Sequence, residues 1–279
     1  MGWLGSVLAL RLDQAGVPFT WNDNDSAVCA WPVSTGLVYP AGDRRTMLNL
    51  GAWMRWSEQR DIVGRNVTPA EFVFAHKSPP HGGKYDSSPA MGNLHRAKAP
   101  CLAVDVAAIV RQARLKFSDR RTEGPARGQR LIVAHGFGTR LGSLVWGWSA
   151  PAKIGGLDSD SVALYAKAHR FQTLYAVPRG GIHRVGSSSL NQGMRARPDA
   201  DRAKRARDRW IGHFPTVFPT LELIDVGEPQ QGWRPHARTG DLGSTIVNVD
   251  GTVTLPPLWH SGIRWAPSVI EQAVILCHT

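Results

Sequence analysis

Apolar side chains recur at helical spacing from the first residues. Trp3, Leu4, Val7, Leu8, Leu10 and Leu12 lie within residues 2–12, and Gly16 follows as a stop signal, so a helix is predicted there. Residues 17–21 (Val-Pro-Phe-Thr-Trp) then read as a short strand that runs into the polar stretch Asn22, Asp23, Asn24 and Asp25. A second amphipathic pattern, carried by Met47, Leu50, Trp53 and Met54, covers residues 46–60, whereas 77–100 is rich in Pro, Gly, Ser and His and is predicted as loop. A helix is expected from Val104 to about Phe117. The continuous apolar run Leu131, Ile132, Val133 and Ala134 has the pattern of a buried strand ending in Gly136-Phe137-Gly138. Residues 173–178 and 182–186 form a predicted hairpin around Arg179-Gly180-Gly181, and residues 199–209 form a charged helix with an acidic first turn and a basic body. Helices alternating with strands, with hairpins in the second half, indicate a mixed α/β architecture rather than a bundle or a sandwich.

Composition narrows this picture. A chain of 279 residues with 42% hydrophobic and 20% charged residues can bury a sizeable core, as one large or two interleaved domains, and is not a disordered chain. The net charge of +11 favours anionic ligands or polyanionic surfaces, and helix 199–209 reads as a solvated face or as part of such a surface. No apolar stretch approaches the roughly 20 residues of a membrane span, and no leader pattern is seen, so a cytoplasmic protein is expected. Cys29, Cys101 and Cys277 are widely spaced without a CxxC pair and are expected as free thiols. The eleven tryptophans are expected mainly as core anchors. The ten histidines lack metal-ligand spacing, and Ser187-Ser188-Ser189 lacks the glycines of a nucleophile elbow.

One motif carries chemistry. A dinucleotide-binding unit needs a glycine turn leading into a helix whose free N–H groups face the pyrophosphate, then an acid after the next strand to hold a ribose hydroxyl. Gly2 and Gly5 have the spacing of the second and third glycines, and Asp23, 18 residues beyond Gly5, stands where the ribose acid belongs.

With Trp31-Pro32-Val33-Ser34-Thr35-Gly36 behind it, this opening resembles the flavin-binding start of the D-amino-acid oxidase and glycine oxidase family. Leu131-Ile132-Val133-Ala134-His135-Gly136 is similar to the family's strand near the flavin, and Tyr175-Ala176-Val177-Pro178-Arg179 to its substrate-domain strand. Gly232-Trp233-Arg234-Pro235 resembles the Gly-Leu-Arg-Pro motif, preceded by Phe214-Pro215 and Phe218-Pro219. Residues 259–267, with Gly262, Ile263, Ala266 and Pro267, resemble the segment that returns to the flavin. The sequence departs from the pattern at its start, where Met1 stands between the positions of the first two glycines, so the leading strand and first glycine have no counterpart. His260 falls where a glycine-rich turn is common.

The resemblance implies a Rossmann-type FAD-binding domain, from residues 1–45, 101–150 and 241–279, interleaved with an α+β substrate domain on an antiparallel or mixed sheet, from 46–100 and 151–240. It implies FAD as cofactor, held by Gly2, Gly5 and Asp23, by Ser34, Thr35 and Gly36, and by backbone groups of Gly262 and Ile263. It assigns Arg234 to the substrate carboxylate and Tyr175 to the same pocket. The implied activity is oxidation of the C–N bond of a glycine-like amino acid to an imine that water hydrolyses. The amino acid is either free or attached to DNA, as in a bacteriophage branch that converts glycine-modified thymidine to 5-aminomethyl-deoxyuridine. The alternatives are a catabolic oxidase of free glycine, sarcosine or D-amino acids, and a non-enzymatic basic protein that binds nucleic acid.

Overall fold

In a computed structural model, all residues are described except 24–30, 40–43, 76–84, 88–93, 125–129, 135–141, 158–160, 170–171, 191–199, 238–245, 248–250, 257–261 and 279. The chain opens with α1 (Trp3–Gln14), a 3-10 turn over Trp31–Val33, β1 (Leu37–Val38), α2 (Arg44–Ser57), α3 (Ile62–Arg65) and β2 (Val67–Ala75). Next come β3 (Tyr85–Ser87), β4 (Leu94–Val104), α4 (Val106–Lys116), a second 3-10 turn over Ser118–Arg120, β5 (Ile132–Val133) and β6 (Gly142–Gly155). The second half contains β7 (Val162–His169), β8 (Gln172–Arg179), β9 (Ile182–Leu190), α5 (Ala200–Val217), β10 (Glu222–Val226) and β11 (Gln230–Ala237). It closes with β12 (Ile246–Val247), β13 (Val253–Thr254) and α6 (Gly262–His278).

Two sheets result. Ten strands form a mixed sheet in the order β1-β4-β2-β7-β8-β9-β6-β10, with β3 added to β4 and β11 to β6; its pairs are antiparallel except β2 with β7. A small sheet, β12-β13-β5, has β13 parallel to β5. One core gathers α1, α2, α4 and α6 around the small sheet through Val7, Leu10, Trp53, Ile109, Val253 and Ile270. A second packs α5 on one face of the large sheet through Ala203, Ala206, Trp210 and Phe214. This is the mixed α/β fold that the element pattern predicts.

The local reasons follow the sequence. α1 buries Val7, Leu8, Ala9, Leu10 and Leu12, and ends where Gly16 takes φ +70°, a conformation glycine adopts without strain. α4 begins one residue after Asp105, whose carboxylate accepts from the Ala108 amide at 2.9 Å. The β8–β9 hairpin closes through Gly180 and Gly181 at φ +58° and +82°, the positive values a two-residue hairpin turn requires. The tryptophans behave as core anchors. Trp53, Trp56, Trp146, Trp148, Trp210 and Trp233 are buried, and Trp3, Trp21, Trp31 and Trp265 pack half-buried against the first core.

Four expectations change. Of residues 77–100, expected as loop, 85–87 form β3 and 94–100 belong to β4, because the ladders of β3 to β4 and of β4 to β2 supply the backbone bonds. Ala70 pairs with Cys101 and Phe72 with Ala97, so a bulge takes up Pro100, which has no N–H to offer. The helix expected from Val104 starts at Val106, because Val104 completes β4 and Asp105 caps. The run 131–134 is a strand only at Ile132–Val133 and is half-buried, with Leu131 45% exposed; among the described residues it pairs with β13 alone. Residues 17–21 are extended but join their neighbour by a single parallel bridge, Trp21 to Arg121, rather than by a ladder. Asn24, Asp25, Cys29, residues 136–138 and His260 lie outside the described residues.

Candidate functional site

The start of α1 is an uncapped helix end. Gly2 is its N-cap at φ −83°, ψ −167°, with no side chain to satisfy the first-turn amides, and a Cβ placed there would meet nothing within 4 Å. A Cβ on Gly5 would come no closer than 3.8 Å, to the Met1 side chain. Asp23 reaches this helix end from the extended 17–21 segment. Its carboxylate accepts from the Met1 amine at 2.5 Å and pairs with the Arg114 guanidinium, whose Nε donates to the Met1 carbonyl at 2.8 Å. The same guanidinium lies over the Trp31 ring, 5.5 Å from its centroid. Around this end Trp3 Nε1, Trp31 Nε1 and Ser6 Oγ are buried with no hydrogen-bond partner among the described residues. A helix N-terminus without a side-chain cap, with an acid beside it and three polar atoms that have no partner among the described residues, has the makings of an anion-binding end.

From Trp31 the chain runs onto the large sheet. Gly36 has φ +78°, and a Cβ on it would lie 1.9 Å from the Val104 carbonyl oxygen, so only glycine fits. The Val104 amide donates to the Gly36 carbonyl at 2.8 Å. The methyl of Thr35 comes within 3.2 Å of the point where Gly186 would carry a Cβ, and Gly186 is the cross-strand partner of Tyr175. The N-terminus of α6 joins the same region. The Ile263 carbonyl accepts from Trp53 Nε1 at 2.8 Å, Trp53 stacks on Trp3 with centroids 6.1 Å apart, and Gly262 is the first residue of the helix.

Strand alternation places the substrate candidates. Tyr175 and Gly186 share the sheet face opposite α5. Gly186 pairs with Ser149, Ser149 with Gln230 and Val145 with Arg234, so the Arg234 register position falls on that face as well. An aromatic layer covers the face, with Tyr39 stacked on Phe72 at 5.0 Å and Tyr165 against Tyr39 at 5.6 Å and against Tyr175 at 5.2 Å. Sequence reasoning missed Tyr39, Phe72 and Tyr165. Their signal was the period-two spacing of Phe72 and Phe74 and of Ala163 and Tyr165 in strands that bury both faces.

The structure brings Gly2, Gly5 and Asp23 together at the helix end and seats Thr35, between Ser34 and Gly36, beside Gly186 and Tyr175 on the sheet, whereas Arg234 shares that face by register only, on β11 opposite Val145 and four residues along β6 from the row of Tyr175, Gly186 and Ser149. The 31–36 segment links the helix end to the sheet, and Gly262 and Ile263 approach from α6. Among the described residues no group of three or more His, Cys, Asp or Glu could hold a metal ion, and no helix is long and apolar enough to cross a membrane. Cys101 and Cys277 are free thiols, as expected. Burial pushes the Cys101 thiol up to about 12.

No protein-family model matches the sequence, and no curated protein matches it. Solved structures do match. A reduced L-α-glycerophosphate oxidase from Mycoplasma pneumoniae with FAD bound superposes with a TM-score of 0.71 at 12% identity, covering 100% of this chain and 93% of that one. An iminodiacetate oxidase from Chelativorans sp. BNC1 gives 0.64 at 15% identity, covering 97% and 91%. A glycine oxidase from Geobacillus kaustophilus gives 0.65 at 12% identity, covering 99% and 92%. The chain shares the fold of these oxidases over nearly its whole length.

Proposed function

We propose that the chain is an FAD-dependent oxidoreductase that oxidises the C–N bond of a small amino acid held over the aromatic face of the large sheet. The observation that carries this reading is the seating of Thr35 on Gly186, the partner of Tyr175, because it brings the segment matched to the cofactor onto the strands matched to the substrate. The fold shared with three oxidases supports it. The residues present suit a flavin dinucleotide. The bare glycine N-cap lets a pyrophosphate approach the amides of α1, and Asp23 stands beside it for a ribose hydroxyl. Trp3 Nε1, Trp31 Nε1 and Ser6 Oγ are polar atoms that lack partners among the described residues. The cofactor unit would be built on the first core, which takes in α2 as well as α1, α4 and α6, and the substrate unit on the large sheet, which takes in β6.

FAD, when bound, would supply the two-electron oxidation of the substrate C–N bond. Arg234 holds the substrate carboxylate through two parallel N–H donors, which fixes which carbon faces the cofactor. The Tyr175 hydroxyl offers a further hydrogen bond, and the aromatic layer of Tyr39, Phe72 and Tyr165 keeps the site dry. Gly262 and Ile263 contribute backbone groups at the start of α6. The imine takes up water and divides into an amine and a carbonyl acid, glyoxylate when glycine is the substrate.

A second reading concerns what carries the amino group. The net charge of +11 supports a glycine attached to DNA as that second reading, with the exposed Lys204, Arg205, Arg209 and His213 of α5, on the sheet face opposite Tyr175, meeting the polyanion away from the reacting amine. The test is reconstitution with FAD, followed by anaerobic addition of glycine, sarcosine, D-alanine and a glycine-bearing oligonucleotide. Uptake of FAD with visible flavin bands, then bleaching by one of these amines, is the expected result. A protein that takes up no FAD overturns the reading, and bleaching by free glycine but not by the oligonucleotide removes the DNA-linked substrate.

A further inference from the structure

Arg179 and Arg184 project from the two strands of the β8–β9 hairpin, on the same face as Tyr175, and grip the 32–36 segment at both ends. Arg179 Nη2 donates to the Thr35 carbonyl at 3.2 Å and to the Val104 carbonyl at 3.0 Å, while its Nη1 meets the Asp105 carboxylate at 3.1 Å. Arg184 Nη2 donates to the Pro32 carbonyl at 3.3 Å and to Gln230 Oε1 at 2.6 Å, and its Nε donates to Ser149 Oγ at 2.9 Å. Gln230 lies on β11, four residues before Arg234.

We propose that these two arginines are positioning residues, a clasp that fixes the cofactor-contacting segment 32–36 against the strands carrying Tyr175 and Arg234. The inference rests on the site reading above and adds what sets the spacing between its two halves. Three features point to it. First, the acceptors include carbonyls of a segment that forms no ladder until Leu37, so among the described residues the guanidiniums supply the hydrogen bonds that tie the Pro32 and Thr35 carbonyls to β8 and β9. Second, the clasp leaves no slack. A Cβ on Gly36 would lie 2.9 Å from Arg179 Nη2 as well as against the Val104 oxygen, so the segment cannot slide toward the sheet. Third, holding two guanidiniums here is costly. Burial pushes the Arg179 pKa below its ordinary value, Arg111 adds to this and Asp105 opposes it. Arg184 is lowered by burial and then by Arg179. Apolar residues would serve the strands at less cost. A planar fork with several fixed donors, which lysine lacks, can reach a loop carbonyl and a neighbouring strand together.

The test uses the full chain with Arg179→Met, Arg184→Met and, as a control on α5, Arg207→Met, whose side chain contacts Glu228 and the Gly227 carbonyl instead. Hydrogen exchange over residues 31–38 and at the Val104 amide is measured without added flavin. FAD affinity and flavin midpoint potential are measured after reconstitution. Expected are exchange at least about tenfold faster at Val104 in Arg179→Met, an FAD Kd weakened by about tenfold and a shifted potential. Arg184→Met is expected to raise KM for the amine more than it lowers kcat, and Arg207→Met to change none of these. Exchange and potential identical to wild type in both clasp variants overturn the proposal. Should Arg179→Met fail to fold, Arg179→Lys keeps the charge opposite Asp105 and gives the same readouts at intermediate size. A wild-type chain that takes up no FAD overturns the proposed function alone, because exchange still decides whether the arginines hold the segment.

Discussion

Tyr165 and Tyr175 face each other across β7 and β8, with ring centroids 5.2 Å apart and planes inclined at 60°. This edge-to-face pair joins the layer of Tyr39 and Phe72, so ring packing helps to fix Tyr175 in place.

Replacing Tyr175 with Phe keeps that packing and removes only the hydroxyl. The unfolding midpoint is expected to stay within a few degrees of wild type, and kcat/KM for the amine substrate to fall by about tenfold, the size of one hydrogen bond to substrate. Tyr165→Ala removes the ring that supports Tyr175 and is expected to lower stability by about 3 kcal/mol. Denaturation curves and steady-state kinetics on the two variants separate the roles. An unchanged kcat/KM in Tyr175→Phe would remove this hydroxyl from the site.

Gly36 and Gly2 should respond differently to alanine. At Gly36 the positive φ and the Val104 oxygen 1.9 Å from a new Cβ force the backbone to move, so Gly36→Ala is expected to cost more than about 2 kcal/mol even without cofactor. At Gly2 a Cβ meets nothing, so Gly2→Ala is expected to change stability by less than about 0.5 kcal/mol while weakening FAD binding, since on the proposed function the added methyl would stand in the path of the pyrophosphate. Urea unfolding without FAD and flavin titration check the two halves.

These contrasts bear on what the sequence could show. α1, α4, α5 and the β8–β9 hairpin were legible because their signals are local: apolar spacing, an acidic first turn and a Gly-Gly turn all act within a few residues, whereas the sequence pattern does not reveal the Asp105 cap and starts α4 two residues early. β4 was not, because His95, Arg96, Lys98 and Pro100 break any apolar pattern and its strand character comes from pairing with β2. The site was legible as isolated motifs. Tyr175 and Gly36 could be singled out by type and resemblance. The clasp was invisible, because an arginine in a strand reads as a solvated side chain and the carbonyls it reaches lie 144 and 152 residues away.

α5 carries separable roles on its two faces. Trp210 is fully buried and packs on Phe214 at 5.2 Å, so Trp210→Ala is expected to cost about 3–5 kcal/mol. Trp210→Phe is expected to cost much less, because the indole N–H it deletes has no hydrogen-bond partner among the described residues. On the exposed face, the triple change Lys204→Gln, Arg205→Gln and Arg209→Gln is expected to leave turnover of free glycine unaltered. It is expected to flatten the salt dependence of oligonucleotide binding by about three in the log–log slope, the number of cations removed. An unchanged slope would place any polyanion elsewhere.

Cys101 gives the fold an alkaline limit. The residue is fully buried on β4, and burial raises its thiol from the ordinary 9.0 to about 12. Between those values the folded chain keeps a proton that the unfolded chain has lost. Its contribution to stability is therefore fully present below pH 9 and falls as pH rises, by at most about 1.4 kcal/mol per unit. Cys101→Ala is expected to lose about 1 kcal/mol at neutral pH, for the small cavity, and to unfold less steeply with pH above 9. In a Cys29→Ala background, a thiol reagent at pH 8 is expected to label Cys277, which is half-buried, and to reach Cys101 only on unfolding. Equal labelling rates for the two thiols in the native protein would show that β4 opens toward solvent, and with it the ladder that presents Asp105 to Arg179.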